Sequence, residues 1–324
     1  MTTAMERLGA PSPRPRSGGA PIVAILCGCL VILSAAGVLA GVGGVPDRGL
    51  LLTSRLPRVL AAILTGAGLA VAGLIMQSLA RNRFVEPMMA GTGQAAGLGI
   101  LLATIAAPGA SIMLKGLAGA LAAFAGTAAF LFLARRLPPS EPFLVPLLGI
   151  VYGGVLAAVA TAIAWNADLM QFLETWFSGE MSGILAGRYE LLWANAALLA
   201  AAVVIADRLT ILSLGRDAAE GLGVGFAAML AAGLGLVCVI AAVTVVTVGI
   251  IPFVGLVVPA MASRLIGDNV RTVMPVVALG GAVLVLASDT LGRFIRFPYE
   301  VPVGTVLGVV GAFVFLAIIL TRRG

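Results

Sequence analysis

Apolar runs long enough to cross a bilayer follow one another along nearly the whole chain, separated by short polar breaks. Ten can be marked, at residues 21–43, 56–79, 89–106, 114–134, 143–165, 191–206, 226–248, 252–266, 273–291 and 304–320. A helix needs about 20 apolar residues to span the hydrocarbon core. The runs are continuous rather than alternating, so they read as helices and not as barrel strands. The pattern predicts an all-α polytopic membrane protein, with about ten transmembrane helices in a single domain over residues 21–324. Residues 1–20 (MTTAMERLGAPSPRPRSGGA) are rich in Pro, Arg and Gly and predict a disordered cytoplasmic tail. The run after them lacks a small-residue cleavage site, so it reads as a first span rather than a signal peptide. Between residues 166 and 190, Trp176, Phe177 and a series of small residues predict a short helix at or re-entering the outer interface.

One polar break differs from the others. Residues 207–225 (DRLTILSLGRDAAEGLGVG) combine several charges of both signs with a helical pattern, between two spanning runs. Leu209, Leu212 and Leu214, then Ala218, Ala219 and Leu222, recur at helical spacing, with Arg216, Asp217 and Glu220 between them. Gly215, Gly221 and Gly223 predict a break into two short helices joined by a turn. Such a pair at the membrane surface gives another protein something to grip; the same composition also fits an ordinary surface loop.

Composition sharpens the picture. The 324 residues are 60% hydrophobic and 10% charged, with a mean hydropathy of +1.12. Soluble domains carry about 25% charged residues, so almost no soluble mass is expected. The net charge of +6 reports topology, not affinity for nucleic acid. With the N-terminus inside, seven basic residues fall outside (Arg48, Arg55, Arg58, Lys115, Arg188, Arg293 and Arg296) and the other thirteen of the 20 inside. Ten spans then put both termini, and residues 207–225, in the cytoplasm.

Chemistry is sparse. Cys27, Cys29 and Cys238 lie in apolar runs and there is no His, which argues against a metal site, His-ligated haem or a His proton relay. The only lysine, Lys115, is not in a Walker A loop, and no Ser lies in a G-x-S-x-G motif. Asp289 is the deepest acid, and Arg293 four residues on predicts a helical ion pair near the outer end rather than a proton-coupling role. A transporter driven by an ion gradient would have little to work with, and no catalytic set can be assembled. The energy source is expected in another chain, and no cofactor in this one.

Several motifs occur in order: Arg55-Leu-Pro-Arg58; residues 77–87 (QSLARNRFVEP); Leu214-Gly-Arg-Asp-Ala-Ala-Glu-Gly-Leu-Gly223; residues 249–259 (GIIPFVGLVVP); Gly267-Asp-Asn269; and residues 298–304 (PYEVPVG). From about Arg55 to the C-terminus the chain resembles permease subunits of the iron–siderophore, haem and vitamin B12 ABC importers (type II importers). Asn82-Arg-Phe-Val, Ala90-Gly-Thr92 and residues 187–192 (GRYELL) are most similar to the ferric-siderophore branch. The chain departs from the pattern at Ala260-Met261, where many relatives carry a polar residue or His.

The resemblance implies a type II importer permease fold in the bacterial inner membrane, paired with a second permease subunit around a central path. It also implies two cytoplasmic ATPases that bind the ATP, a periplasmic binding protein, and a ferric siderophore as cargo, with haem or vitamin B12 as the alternatives. No metal ligands are needed, because the iron arrives wrapped in its chelator. Coupling helices at roughly residues 211–214 and 217–222 would sit in the ATPase. Leu214, Ala218, Ala219 and Leu222 would supply the contact, Arg216, Asp217 and Glu220 its rim, and Gly215 and Gly223 the turns. Arg55, Arg58 and Arg293 match the positions that meet acidic residues of the binding protein. Arg55 and Arg58, three apart, fit a shared carboxylate; interfacial anchoring would explain them equally. A gate is implied at about residues 157–164 and 175–182, including Ala157, Thr161, Ala164, Thr175, Ser178 and Ser182.

Overall fold

The computed structural model describes residues 19–39, 47–88, 90–138 and 144–320, the side chains of residues 318 and 319 excepted. Residues 1–18 of the expected tail lie outside the described residues, and its last two, Gly19 and Ala20, already belong to the first helix. The helices are α1 (Gly19–Leu39), α2 (Arg48–Leu50), α3 (Leu56–Ala80), α4 (Thr92–Ala106), α5 (Ile112–Ala134), α6 (Leu144–Asn166), α7 (Met170–Ser178), α8 (Trp193–Ser213), α9 (Arg216–Gly221), α10 (Phe226–Val248), α11 (Val254–Ile266), α12 (Val270–Ile295) and α13 (Val303–Leu320). A π-helical turn, Leu51–Arg55, joins α2 to α3. Among the described residues seven helical stretches are long and apolar enough to cross a membrane, the one through α3 beginning at Arg48. Three shorter apolar helices, in α4, α11 and α13, complete the set of ten expected from the pattern.

Helix α3 is the axis of the molecule. It is buried over most of its length and packs against α8, α10, α11 and α12. Lipid tails are as apolar as leucine, so helices in a membrane associate through close packing and hydrogen bonds rather than through hydrophobicity. Glycines provide the approach. A Cβ built at Gly66 would lie 2.2 Å from the carbonyl oxygen of Gly281 on α12, and one at Gly73 only 2.0 Å from that of Gly255 on α11. The Gln77 side chain adds a hydrogen bond, donating to the Gly255 carbonyl at 3.1 Å.

Helices α4 and α11 are short because non-helical chain precedes each. Before α11, Gly249 (φ +91) and Phe253 (φ +69) turn the backbone, so this helix starts at Val254 rather than at the predicted Pro252. Glu86, from the stretch before α4, accepts the Phe253 N–H at 2.8 Å and is 1% exposed. Irregular backbone within a membrane protein is stable where protein buries it and satisfies its polar groups, and Glu86 does this for the start of α11. The predicted interfacial helix is α7, with Trp176 packed edge-on against Phe172.

Candidate functional site

The first candidate surface is the knuckle between α8 and α10. The expected pair of short helices is corrected to one. Residues 211–213 form the last turn of α8, because no Gly or Pro interrupts the chain between Trp193 and Leu214. Gly215 (φ +111) makes the break, in a backbone region that an L side chain rarely adopts. Helix α9 ends in a Schellman motif: the amides of Val224 and Gly223 bond the carbonyls of Ala219 (2.9 Å) and Glu220 (3.0 Å), with Gly223 at φ +76.

The knuckle presents Leu214 (60% exposed) at the end of α8, and Ala218 and Leu222 (62% exposed), spaced i, i+4 along α9. Ala219, expected in the same contact, is instead fully buried inside the chain. Arg216 pairs with Glu220 at 2.9 Å and lies over the Phe226 ring, while Asp217 stays exposed beside them. The hydrogen bond to Glu220 pushes the Arg216 pKa further above its ordinary value. At the base, Asp207 pairs with Arg271, and Val270 N–H donates to Thr210 Oγ1 at 3.1 Å, tying α8 to the start of α12. Asn269 caps α12 by accepting the amides of Arg271 and Thr272.

The second surface lies at the opposite end of α3 and α12. Arg58 donates to Asp289 at 2.8 Å and to Glu300 at 2.8 Å. Arg293 pairs with the same Asp289 and donates to the Gly37 carbonyl of α1 at 2.9 Å. The helical pair expected from the i, i+4 spacing is therefore present, and Arg58 joins it from 231 residues away. The arginines expected to dock the binding protein are held within the chain. Arg293 and Arg55 are buried, and Arg58 spends its fork on the chain's own carboxylates, of which Asp289 is only 2% exposed. Breaking a buried pair leaves uncompensated charge and costs about 3–5 kcal/mol. Asp289→Ala removes the carboxylate that Arg58 and Arg293 share, leaving Glu300 to the one and the Gly37 carbonyl to the other, so a marked fall in the melting temperature of the purified protein is expected. An unchanged melt would show the cluster to be dispensable.

The residues expected to form a gate differ in burial and bonding. Ala164 is buried with Ala160, Leu101 and Leu173. Thr161 is exposed on α6 and Ala157 is half-buried. The hydroxyls of Thr161, Thr175 and Ser178 each bond a carbonyl of their own helix, and Ser182 bonds Glu180. Thr175 and Ser182 line a cavity of about 440 Å³ together with Trp176, Glu180, Lys115 and Arg188. No group of three or more Cys, Asp or Glu placed to hold a metal occurs among the described residues.

Residues 22–321 match the model of the FecCD transport family. A petrobactin import system permease protein of Bacillus subtilis is 36% identical over 304 residues, covering 91% of this chain and 96% of the relative. The chain belongs to the FecCD transport family. A ferric-anguibactin transport system permease protein of Vibrio anguillarum is 39% identical over 270 residues, covering 83% of this chain and 86% of that one. Among solved structures, an inward-facing metal-chelate type ABC transporter superposes with a TM-score of 0.79 at 24% identity, over 93% of this chain and 99% of the other. That likeness establishes the fold. The FecCD chain is accordingly a multi-pass membrane permease.

Sequence reasoning singled out no role for Glu86, or for Arg83, which pairs with Asp268. The signal for both was present. Glu86 is an acid between two apolar runs, and Asp268 stands two residues before the start of α12. Neither shows its partner, because the partners lie 167 and 185 residues away.

Proposed function

We propose that this permease carries ferric siderophores across the bacterial inner membrane into the cytoplasm, driven by two separate ATPase subunits. It works beside a second permease copy or paralogue and receives its cargo from a periplasmic binding protein. The observation that carries this reading is the knuckle. Two leucines stand exposed beside a charged rim, on a support that hydrogen bonds and ion pairs hold rigid. An exposed apolar face with a polar rim is the form of a protein–protein contact. Closure of the ATPases on ATP would move α9, and α8, fixed to α12 through Asp207–Arg271, would pass the movement on as a packed body. Both termini lie in the cytoplasm on this reading. The relatives named for petrobactin and anguibactin support the cargo class.

Arg55, Arg58 and Arg293 act in this reading by shaping the outer end that the binding protein meets. The test is reconstitution in liposomes with the ATPase and the binding protein. Uptake of ferric siderophore requires ATP, stops with a hydrolysis-dead ATPase, and is absent for the permease alone. Uptake that survives the dead ATPase overturns the mechanism; uptake of haem or vitamin B12 in place of the ferric siderophore overturns the cargo.

A further inference from the structure

A second cavity, of about 320 Å³, lies behind the knuckle, where the ends of α3 and α5 meet the starts of α6, α9 and α10. Arg81, Arg135 and Arg216 line it, and no carboxylate does so among the described residues. Its walls are otherwise apolar, including Leu131, Val145 and Phe226. Arg81 presses against the knuckle's turn: a Cβ on Gly215 would lie 3.2 Å from Arg81 Nη1. Gly215 is buried, so this is the inward side of the knuckle, opposite the exposed leucines.

We propose that this cavity binds the headgroup of an anionic phospholipid of the inner leaflet. Arg216 already has Glu220 as its partner; Arg81 and Arg135, both exposed and lining the same space, are the two whose charge an anion would answer. Arg forks suit phosphate oxygens, and basic pockets between transmembrane helices at the cytoplasmic side take such headgroups. The apolar walls fit the glycerol and the first acyl carbons. The neighbouring surface of α5 is bilayer-like: Phe132 and Leu133 are exposed, and Arg136 lies over the Phe132 ring at 4.7 Å. A partner protein's acidic side chain is the less favoured occupant, because the face turned to partners is the leucine face on the other side of α9. A bound phosphodiester would bridge the ends of α3 and α5 to the first residue of α9, pinning the knuckle to the helical body.

The test needs no ATPase and no transport, so its outcome is independent of the proposed function. Full-length permease in neutral detergent is titrated with short-chain phosphatidylglycerol, phosphatidylcholine or inorganic phosphate. Thermal stability and lipid retained in native mass spectrometry are read together. Phosphatidylglycerol is expected to raise the melting temperature and to stay bound, whereas phosphatidylcholine and phosphate do neither. Arg81→Gln/Arg135→Gln/Arg216→Gln should weaken retention about tenfold or more. Arg48→Gln/Arg188→Gln, which removes charge elsewhere, should keep it. Arg135→Gln alone, at an exposed position, supplies a folded variant if the triple one does not fold, and should also weaken retention. Equal retention in wild type and Arg135→Gln overturns the assignment. Stabilisation by phosphate alone overturns the lipid in favour of a free anion.

Discussion

Gly73→Ala is expected to leave no folded permease. A methyl group there would lie 2.0 Å from the carbonyl oxygen and 2.3 Å from the Cα of Gly255. Both obstacles are backbone, so no rotamer relieves them, and helix α11 would have to move away from α3. That movement would also stretch the Gln77 hydrogen bond to Gly255 and pull the start of α11 from Glu86. Overpacking a tight contact typically costs about 1–3 kcal/mol; with three linked contacts at stake we expect at least about 4 kcal/mol. The readout is size-exclusion chromatography of detergent-solubilised protein, where the monodisperse peak should vanish. Gly235→Ala is the matched control. Nothing lies within 4 Å of a Cβ at that position, so the peak should persist. A well-folded Gly73→Ala protein would show that α3 and α11 have slack.

The second large effect concerns partner binding rather than folding. Leu214→Asp/Leu222→Asp should remove the ATPase from the purified complex while leaving the permease peak and melting temperature unchanged. Both side chains are mostly exposed, so charging them disturbs no internal contact. In a partner's cleft they would be central apolar anchors, and losing one such anchor costs about 2 kcal/mol or more. Ala219→Asp makes the contrast. Ala219 is buried behind the same helix, and a carboxylate there should destabilise the permease itself. Undiminished co-purification with the double variant would remove α9 from the docking surface.

Most of the spans were legible as long apolar runs, and the knuckle because several charges of both signs combine there with a helical pattern between two such runs. Burial was not legible from hydropathy. The span through α3 has a mean hydropathy of 2.3 and that of α1 2.8, yet 89% of the one window and 6% of the other are buried. An apolar side chain suits lipid and protein alike, so the signal for α3 lay instead in its small and polar residues: Gly66, Gly73, Thr65 and Gln77. In the outer cluster, Asp289 with Arg293 could be read from helical spacing; Arg58 and Glu300 could not, since only the fold brings them to Asp289. The knuckle's first helix was misjudged where local composition was overruled by continuity. Once α8 is helical and nothing breaks it, its last turn follows at little cost.

The burial of α3 has a bearing on how the protein is made. Its segment leaves the ribosome early, whereas α8, α10, α11 and α12, which enclose it, are synthesised between 113 and 190 residues later. Until then Thr65, Gln77 and Arg58 sit in the bilayer or at its edge without their eventual neighbours. The nascent segment therefore depends on the translocon, an insertase or passing lipid for shelter, and the last helices to arrive complete the assembly by closing around the one that has waited longest.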